Sequence, residues 1–256
     1  MLDYKFAKEL LSIPSYTDME DMLIEYIKYF CEQNNISYYQ DEMRNLYLTK
    51  GTLNEGEYYP CTTSHLDTVQ DWQCDYIDNI QMLPIEMEKK ANKTYLYSKY
   101  GGVGADCKIG IVVCLSLFQQ FDKMKCALFT GEEELMKGSS NLDISFFKDV
   151  GYVIGFDSPD LNRASFSCFG TQLFSNDFFN GFLKGFCNVY GVTKFNHEPY
   201  TDVVQIRKKT GLTCMNFGSG GYMAHTNKEY VCLEDTNACY LMAIDLISSL
   251  GNKLTV

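Results

Sequence analysis

The sequence predicts one α/β domain, a three-layer α/β/α sandwich in which a mixed, mainly parallel sheet lies between helices. From residue 94 onwards, short apolar runs alternate with helical patterns, which is typical of a parallel sheet covered by helices. The chain has 256 residues, 46% of them hydrophobic, and can therefore bury a substantial core. No repeat, low-complexity tract or Pro/Ser-rich linker divides it, so we expect residues 1–256 to form a single domain.

Local patterns predict the elements in order. Amphipathic periodicity indicates helices at 3–12 and 18–33, the second with Thr17 and Asp18 as cap residues. Residues 68–93 are interpreted as an irregular surface loop near any site. Extended segments are expected at 37–40, 46–49, 58–64, 94–98, 124–130, 151–157, 163–174 and 212–217. Further helices are expected at 107–121, 138–148, 175–190, 202–210 and 234–250.

Charge and cysteine usage exclude several classes of partner. A net charge of −11 and a pI near 4.7 argue against nucleic acid and against an anionic membrane surface. The amino terminus lacks the basic-then-apolar pattern of a signal peptide, and no apolar run reaches the length of a membrane span. Eleven cysteines without a C-x-x-C pair indicate reduced, mostly buried thiols in a cytoplasmic protein. The sequence leaves the oligomeric state open.

Two of only three histidines frame a series of carboxylates. His65 ends an apolar run in Ser64-His65-Leu66-Asp67, and His225 follows a glycine-rich turn. The acidic positions between them, each at the end of a predicted strand, are Asp106, the run Glu132–Glu134 and Asp157. In open α/β sheets, ligands collect at the carboxyl ends of the strands, so these side chains are expected to meet at one edge. Two histidines and several carboxylates can bind two divalent cations and leave one carboxylate free as a base.

Each of these motifs also has a structural interpretation. Asp67 can accept the second imidazole N–H of His65 and so orient it as a ligand, whereas a lone H-x-D is common in protein cores. Asp106 follows the Gly101–Gly104 run and can offer one oxygen to each of two metals, although aspartate is also a frequent helix cap. Three consecutive glutamates repel one another unless cations or solvent separate their charges, so Glu132–Glu134 can supply a metal ligand and a base. The structural alternative is the solvent-exposed N-terminus of a helix, where glutamate is favoured.

The motifs taken together resemble one group of enzymes. The segments SHLDT, GVGADCKIGI, LFTGEEELMKGSS, YVIGFDS and GGYMAHTNKEY, in this order, are similar to the co-catalytic dizinc exopeptidases. That clan includes peptidase T-like and carboxypeptidase-type enzymes, single-domain leucine aminopeptidase-type enzymes and some N-acyl amidohydrolases. The similarity extends from about residue 58 to residue 250. It implies a zinc exopeptidase-like fold and two bound divalent ions, zinc first, with cobalt or manganese as alternatives.

The resemblance also assigns a role to each residue. It implies that Asp106 bridges the two metals and that Glu132 is the catalytic base, with Asp67 as the residue that orients His65. A second frame, with Glu133 as base and Glu134 as ligand, stays open. The complete ligand set that it implies is His65, Asp106, Glu133, Asp157 and His225.

The chain departs from the family pattern in two places. Leu135 replaces the glycine that is usual two residues after the acidic pair. Only 67 residues separate Asp157 from His225, which is too short for an inserted lid or dimerisation domain. The resemblance implies that relatives with the inserted domain can contact the substrate carbonyl through a histidine of a partner subunit. In this chain His197 or Tyr200 could make that contact instead. The structural alternative is that these residues only form a turn around Pro199.

The expected activity is metal-dependent hydrolysis of a peptide bond in short peptides, as in an aminopeptidase or a di/tripeptidase. A glutamate base and two metals would activate the attacking water. An N-acyl amino acid amidohydrolase is the alternative within enzymes, because both reactions pass through the same kind of tetrahedral intermediate. A metal-binding homologue without turnover is the alternative outside them.

Overall fold

A mixed sheet of nine strands forms the centre of the computed structural model, which describes residues 1–69, 82–158, 160–198 and 200–254. The strands, in chain order, are β1 (Ser37–Gln40), β2 (Leu46–Lys50), β3 (Tyr59–His65), β4 (Glu86–Lys90), β5 (Lys93–Tyr97), β6 (Met124–Phe129), β7 (Val150–Ser158), β8 (Arg163–Cys168), β9 (Thr171–Gln172), β10 (Lys194–Glu198), β11 (Cys214–Gly218), β12 (Gly221–Tyr222) and β13 (Tyr230–Cys232). The helices are α1 (Tyr4–Ser12), α2 (Asp21–Gln33), α3 (Ala105–Leu117), α4 (Asn176–Phe178), α5 (Lys184–Val189), α6 (Val203–Thr210) and α7 (Leu233–Leu250). A π-helical turn, Phe179–Leu183, joins α4 to α5.

The strand order of the large sheet is β1-β2-β6-β3-β7-β11-β8-β10, with β9 paired to β8. Its four central strands, β6, β3, β7 and β11, are parallel to one another, while β2 and β8 run antiparallel to their neighbours β6 and β11. The carboxyl ends of the central strands therefore lie at one edge of the sheet. His65 is the last residue of β3, Asp157 lies at the end of β7, and the glutamate run follows β6.

Helices pack on this sheet and complete the predicted α/β fold. Helix α3 contacts β3 and β7, and α1 and α7 pack on α3, whereas α6 contacts β7 and β11. Nearly every residue of α3 is buried, which is expected of a helix enclosed on all sides. Each large aliphatic side chain buried here contributes about 1.5–3 kcal/mol to the hydrophobic stabilisation of the core.

A second, antiparallel sheet of four strands, ordered β12-β13-β5-β4, leads into His225. Strand β4 falls inside residues 68–93, which the sequence analysis interpreted as irregular, so that interpretation is wrong for 86–90. Four of its five residues are charged and most are exposed, and the strand forms because it pairs with β5 along its whole length. Residues 70–81 of the same predicted loop lie outside the described residues.

Two local predictions are also wrong. The helix expected at 138–148 is replaced by two 3₁₀ turns, Ser139–Asn141 and Ile144–Phe147. Leu142 is extended between them, and the Asp143 side chain accepts the main-chain N–H of Ser145, which starts the second turn separately. Helix α2 begins after Glu20 rather than at Thr17 and Asp18, because Thr17 donates its hydroxyl to Asp67 instead.

The described cysteines are buried, as the composition predicted. They are Cys31, Cys61, Cys107, Cys114, Cys126, Cys168, Cys187, Cys214, Cys232 and Cys239. Within the described residues, none of the helices combines the length and the apolar character that crossing a membrane requires.

Candidate metal centre

Three predicted ligands meet beneath the edge of the central strands. His65 is buried at the end of β3, and its Nε2 lies 3.2 Å from Asp106 Oδ1 and 3.5 Å from Asp157 Oδ1. The donor atoms of the three side chains all lie within 4.8 Å of one another. One imidazole nitrogen and two carboxylates at these distances can surround a single divalent cation.

Asp106 takes part in a second group of donors as well. Its other oxygen, Oδ2, lies 3.1 Å from His225 Nε2, and the same nitrogen lies 2.9 Å from Glu133 Oε1. The donor atoms of Asp106, Glu133 and His225 again lie within 4.8 Å of one another. The carboxylate of Asp106 therefore presents one oxygen to each of two histidine-containing groups, which is the geometry of a bridging ligand.

The chemistry of the donors fits two divalent cations. Imidazole nitrogens and carboxylate oxygens are ligands that zinc, cobalt and manganese share. Four carboxylates, on Asp106, Glu132, Glu133 and Asp157, are gathered around two imidazoles, and so much like charge in a small space is unfavourable without cations. The residues present therefore suit a two-metal centre.

The main chain around Asp106 is held by a residue that the sequence analysis left without a role. The buried carboxylate of Glu229 accepts the N–H of Gly104 at 2.6 Å and that of Asp106 at 3.1 Å. Gly104 adopts φ +63°, and a Cβ there would lie 2.6 Å from atoms of Lys108 and Thr68, so the position needs glycine. The peptide bond between Asp106 and Cys107 is cis.

Asp67 holds the main chain of Glu132 and Glu133 in place and, through its own main-chain oxygen, also bonds to His65. Its buried carboxylate accepts the main-chain N–H of Glu132 at 2.9 Å and that of Glu133 at 3.1 Å. His65 Nδ1 bonds to the main-chain oxygen of Asp67 at 2.8 Å, whereas the Asp67 carboxylate is 3.6 Å away. The sequence analysis expected the carboxylate to be the acceptor for His65, and this assignment of the atom is wrong. A main-chain acceptor fixes the imidazole tautomer equally well.

The three consecutive glutamates occupy different surroundings. Glu133 contacts His225, whereas Glu134 is half exposed and lies 3.6 Å from Lys137 Nζ. Glu132 is buried, and its carboxylate lies within 4.8 Å of donor atoms of His65 and Glu133. It belongs to neither of the two groups around Asp106, the one with His65, Cys107 and Asp157 or the one with Glu133 and His225. Burial, with the nearby Asp157 carboxylate, raises the pKa of Glu132 to about 10 in the metal-free protein.

The two histidines are strongly coupled to the carboxylates. Burial alone would lower the pKa of His65, but hydrogen bonds to Asp106 and Asp157 raise it well above its usual range. Hydrogen bonds to Asp106 and Glu133 raise the pKa of His225 to about 10. Burial opposes ionisation of Asp106, yet the bonds to both histidines hold its pKa well below its ordinary value. In the absence of metal, protons on the imidazoles thus balance part of the negative charge.

Asp157 is held by a partner on the neighbouring strand. Asn216 of β11 accepts the N–H of Asp157 at 2.9 Å and donates to its main-chain oxygen at 3.0 Å. Burial raises the pKa of Asp157 to about 6. Asn216 is the single amide in the apolar run of β11, and this isolated polar residue in a buried strand is a signal from which its role could have been inferred.

The two residues considered for contact with the substrate carbonyl, Tyr200 and His197, lie in different surroundings. Tyr200 lines the cavity over the donors and is 46% exposed. His197 lies on β10, its Nδ1 bonds to the Ser167 hydroxyl, and it is not among the described residues that line the cavity. Asp202, which follows Tyr200 closely, is buried, and burial raises its pKa to about 8.

A cavity of about 590 Å³ opens over the donor groups. Its described lining contains four of the five proposed ligands, all except the buried His65, together with several small residues and four large apolar or aromatic side chains, which belong to Leu135, Tyr200, Tyr222 and Met223. Among the described lining residues there is no lysine or arginine. The cavity therefore combines a strongly acidic floor with an apolar wall.

The fold is found in solved peptidases. The structure matches aminopeptidase PepT from Bacillus cereus with a TM-score of 0.77, at 12% identity over 96% of this chain and 97% of that chain. For a tripeptidase from Staphylococcus aureus the TM-score is 0.75, at 13% identity over 98% and 99% of the two chains. The chain has the fold of these peptidases. The predicted α/β fold with a mixed sheet between helices is therefore confirmed.

Fold alone does not determine the chemistry of this chain. An endoglucanase from Thermotoga maritima shares the fold with a TM-score of 0.58, at 9% identity over 94% of this chain and 96% of that chain. No protein-family model and no curated protein sequence matches the chain. The function must therefore be argued from the site itself.

Proposed function

We propose that this protein is a metal-dependent exopeptidase that removes residues from the amino end of short peptides. The observation that carries the proposal is the position of Asp106 between two histidine-containing groups, with Glu132 left over beside them. A bridging carboxylate, two further ligands on each side and one free carboxylate form a complete set for two-metal hydrolysis.

The ligands divide between two metal positions. His65 and Asp157 would bind one divalent ion and Glu133 and His225 the other, with Asp106 shared. Zinc suits this mixed nitrogen and oxygen set, and cobalt or manganese could replace it. The bound ions would polarise the scissile carbonyl and make a water molecule acidic enough to lose a proton near neutral pH.

Glu132 acts as the base in this proposal. Its carboxylate takes a proton from the attacking water and later delivers it to the nitrogen of the leaving amine, so that one residue serves as base and then as acid. Asp67 keeps Glu132 in place through the main-chain N–H, and burial excludes bulk water from its carboxylate. Glu134 faces Lys137 and solvent, which favours the pair Glu132 and Glu133 over the pair Glu133 and Glu134.

The charge of the cavity favours peptides over acyl-amino acids. A peptide brings a cationic amino terminus to a site whose described lining carries no basic side chain other than His225. An N-acyl amino acid brings a carboxylate instead, and even with the floor carboxylates balanced by metal ions the described lining offers it no lysine or arginine to pair with. The fold neighbours that are named as an aminopeptidase and a tripeptidase agree with this choice.

The remaining predictions become part of the proposal. Residues 1–256 would act as one catalytic domain without an inserted lid, and Tyr200 rather than His197 would contact the substrate carbonyl. Short peptides would be the partners of the chain, and nucleic acid and membranes would not. The many buried thiols of the described residues fit a reducing compartment, so we also propose that the enzyme acts in the cytoplasm.

The test compares Leu-Gly-Gly, N-acetyl-Leu-Gly-Gly and N-acetyl-leucine as substrates in the presence of zinc, cobalt or manganese. We expect hydrolysis of the free tripeptide only. Glu132→Gln should lower kcat by about 100- to 10,000-fold, because it removes a general base without changing shape. The matched variant Glu134→Gln should stay within about threefold of wild type, since exposed ion pairs contribute little.

Three results would contradict the proposal, each in a different way. Full activity of Glu132→Gln would exclude this residue as the base and require the same comparison at Glu133. Hydrolysis of N-acetyl-leucine but not of Leu-Gly-Gly would favour the amidohydrolase. Two bound metals without hydrolysis of any peptide or acylated substrate would indicate a homologue without turnover.

A further inference from the structure

We propose that Leu135 and Met223 form the wall of a subsite that selects peptides whose first residue has a large apolar side chain. The inference rests on the proposed function and adds the substrate class to it. Both side chains line the cavity over the metal ligands, and both are exposed, 70% for Leu135 and 52% for Met223.

These two residues flank one of the two metal positions. Leu135 follows Glu133 by two residues, and Met223 precedes His225 by two residues. Glu133 and His225 are in direct contact, because His225 Nε2 lies 2.9 Å from Glu133 Oε1. His225 is about half exposed while His65 is buried, so this is the metal position nearer to solvent. Both apolar side chains therefore lie in the cavity wall beside the more exposed of the two metal positions.

The backbone holds both residues in an unfavourable conformation. Leu135 adopts φ +62° and Met223 adopts φ +60°, in the left-handed region that residues with long side chains rarely occupy. Glycine would relieve this strain. A leucine that is strained, exposed and beside the ligands is best explained by a function of its side chain.

The turn also fixes the direction in which Leu135 points. Main-chain bonds from Met136 N to Glu132 O, 2.9 Å, and from Lys137 N to Gly131 O, 2.8 Å, close a tight loop around it. Met136, the next residue, is buried in the core. Leu135 is thereby left at the cavity, where its side chain is exposed while that of Met136 is buried.

Two polar side chains of the cavity wall, Asp160 and Tyr222, already have partners. Asp160 forms an ion pair with Arg163, 3.2 Å between Oδ2 and Nε. The Tyr222 hydroxyl donates to Asp235 at 2.8 Å, which leaves the tyrosine ring to contribute to the wall. A charged substrate side chain would find no free partner among these groups, whereas an apolar one would be buried against Leu135 and Met223.

The test measures kcat/KM of the metal-loaded enzyme for X-Gly-Gly peptides, in which X is Leu, Met, Ala, Asp or Lys. We expect wild type to prefer Leu over Ala at least tenfold, because each added methylene in an apolar subsite gives about a 10-fold or greater gain. Leu135→Gly and Met223→Ser should each lower this ratio by about fivefold or more. Leu135→Gly should keep or raise the Tm, because glycine suits a positive φ.

Leu254→Gly is the matched control, since Leu254 is similarly apolar and 48% exposed but is not part of the described cavity lining. Its Leu/Ala ratio should equal that of wild type. Hydrolysis by wild type without preference for Leu or Met, or a preference that survives both cavity substitutions, would overturn the inference alone. Absence of hydrolysis of all five peptides would instead defeat the proposed function on which the inference rests.

Discussion

Replacing Asp67 by asparagine tests how the acidic pair is positioned. The Asp67 carboxylate accepts three hydrogen bonds, from Glu132 N at 2.9 Å, Glu133 N at 3.1 Å and Thr17 Oγ1 at 3.1 Å. Asparagine has nearly the same shape but only one acceptor oxygen. At least one main-chain N–H would then face an amide NH₂ group, donor against donor, inside the protein.

The size of the effect follows from the burial of this residue. Asp67 is fully buried, so solvent cannot replace the lost bond. Burial opposes the ionisation of Asp67, but the nearby His65 imidazole and the hydrogen bonds from the Glu132 and Glu133 amides hold its pKa below the ordinary value. Losing one bond to a charged acceptor costs about 1.5–3 kcal/mol, and the remaining bonds to a neutral oxygen are weaker. We expect the free energy of unfolding to fall by about 3 kcal/mol and Tm by roughly 6–12 °C.

Activity should fall more than stability alone would explain. A shift of about 1 Å in a catalytic group can reduce the rate about 100-fold, so Asp67→Asn should lower kcat by roughly that factor at a temperature where it is folded. The assays are thermal unfolding and Leu-Gly-Gly hydrolysis with added zinc.

Asp143→Asn is the control, because the Asp143 carboxylate also accepts three hydrogen bonds, from Ser145 N, Ser145 Oγ and Tyr39, but does not line the described cavity. It should lose stability and keep kcat. Wild-type stability and activity in Asp67→Asn would refute the reasoning.

Two further predictions concern the support of the centre and its titration. Glu229→Gln leaves one acceptor oxygen for the two N–H groups of Gly104 and Asp106, so the carboxylate of Asp106 should be held less firmly. Zinc affinity, measured in competition with a chelating dye, should fall about 10- to 100-fold. Unchanged affinity would contradict this role of Glu229. In the metal-free protein, burial raises the pKa of Asp202 to about 8 and that of Glu229 to about 7. The folded state then keeps protons that the unfolded chain has released above about pH 4, so its stability should decline as pH rises from about 4 to 8. The Tm measured with a chelator present should follow this trend, and a Tm that rises across the range would exclude it.

The sequence predicted most of the fold because the signals were long and periodic. Helices α3 and α7 and the buried strands β3, β6 and β7 combine apolar runs with clear ends, and the structure confirms them. The missed strands are short or polar. Strand β4 consists of Glu86–Lys90 and exists through its pairing with β5, while β12 and β13 have two and three residues. Such strands are stabilised by tertiary neighbours rather than by their own composition.

The sequence predicted the side chains that can bind metal, but not the residues that hold them in place. The histidines and carboxylates could be found because each follows a strand, and parallel strands bring their ends together. The contact between Glu229 and the turn at Gly104 joins residues 125 positions apart and leaves no local pattern. The bonds from Asp67 to the main chain of the glutamate pair are equally non-local, 65 and 66 positions apart. The atom-level role of Asp67 therefore required the structure.

The most direct test of the two-metal centre is an anomalous-difference map of crystals grown with zinc. It should contain two strong peaks, one between His65 and Asp157 and the other between Glu133 and His225, each within bonding distance of one oxygen of Asp106. A single peak, or two peaks that do not share Asp106, would contradict the proposal that this carboxylate bridges two metals.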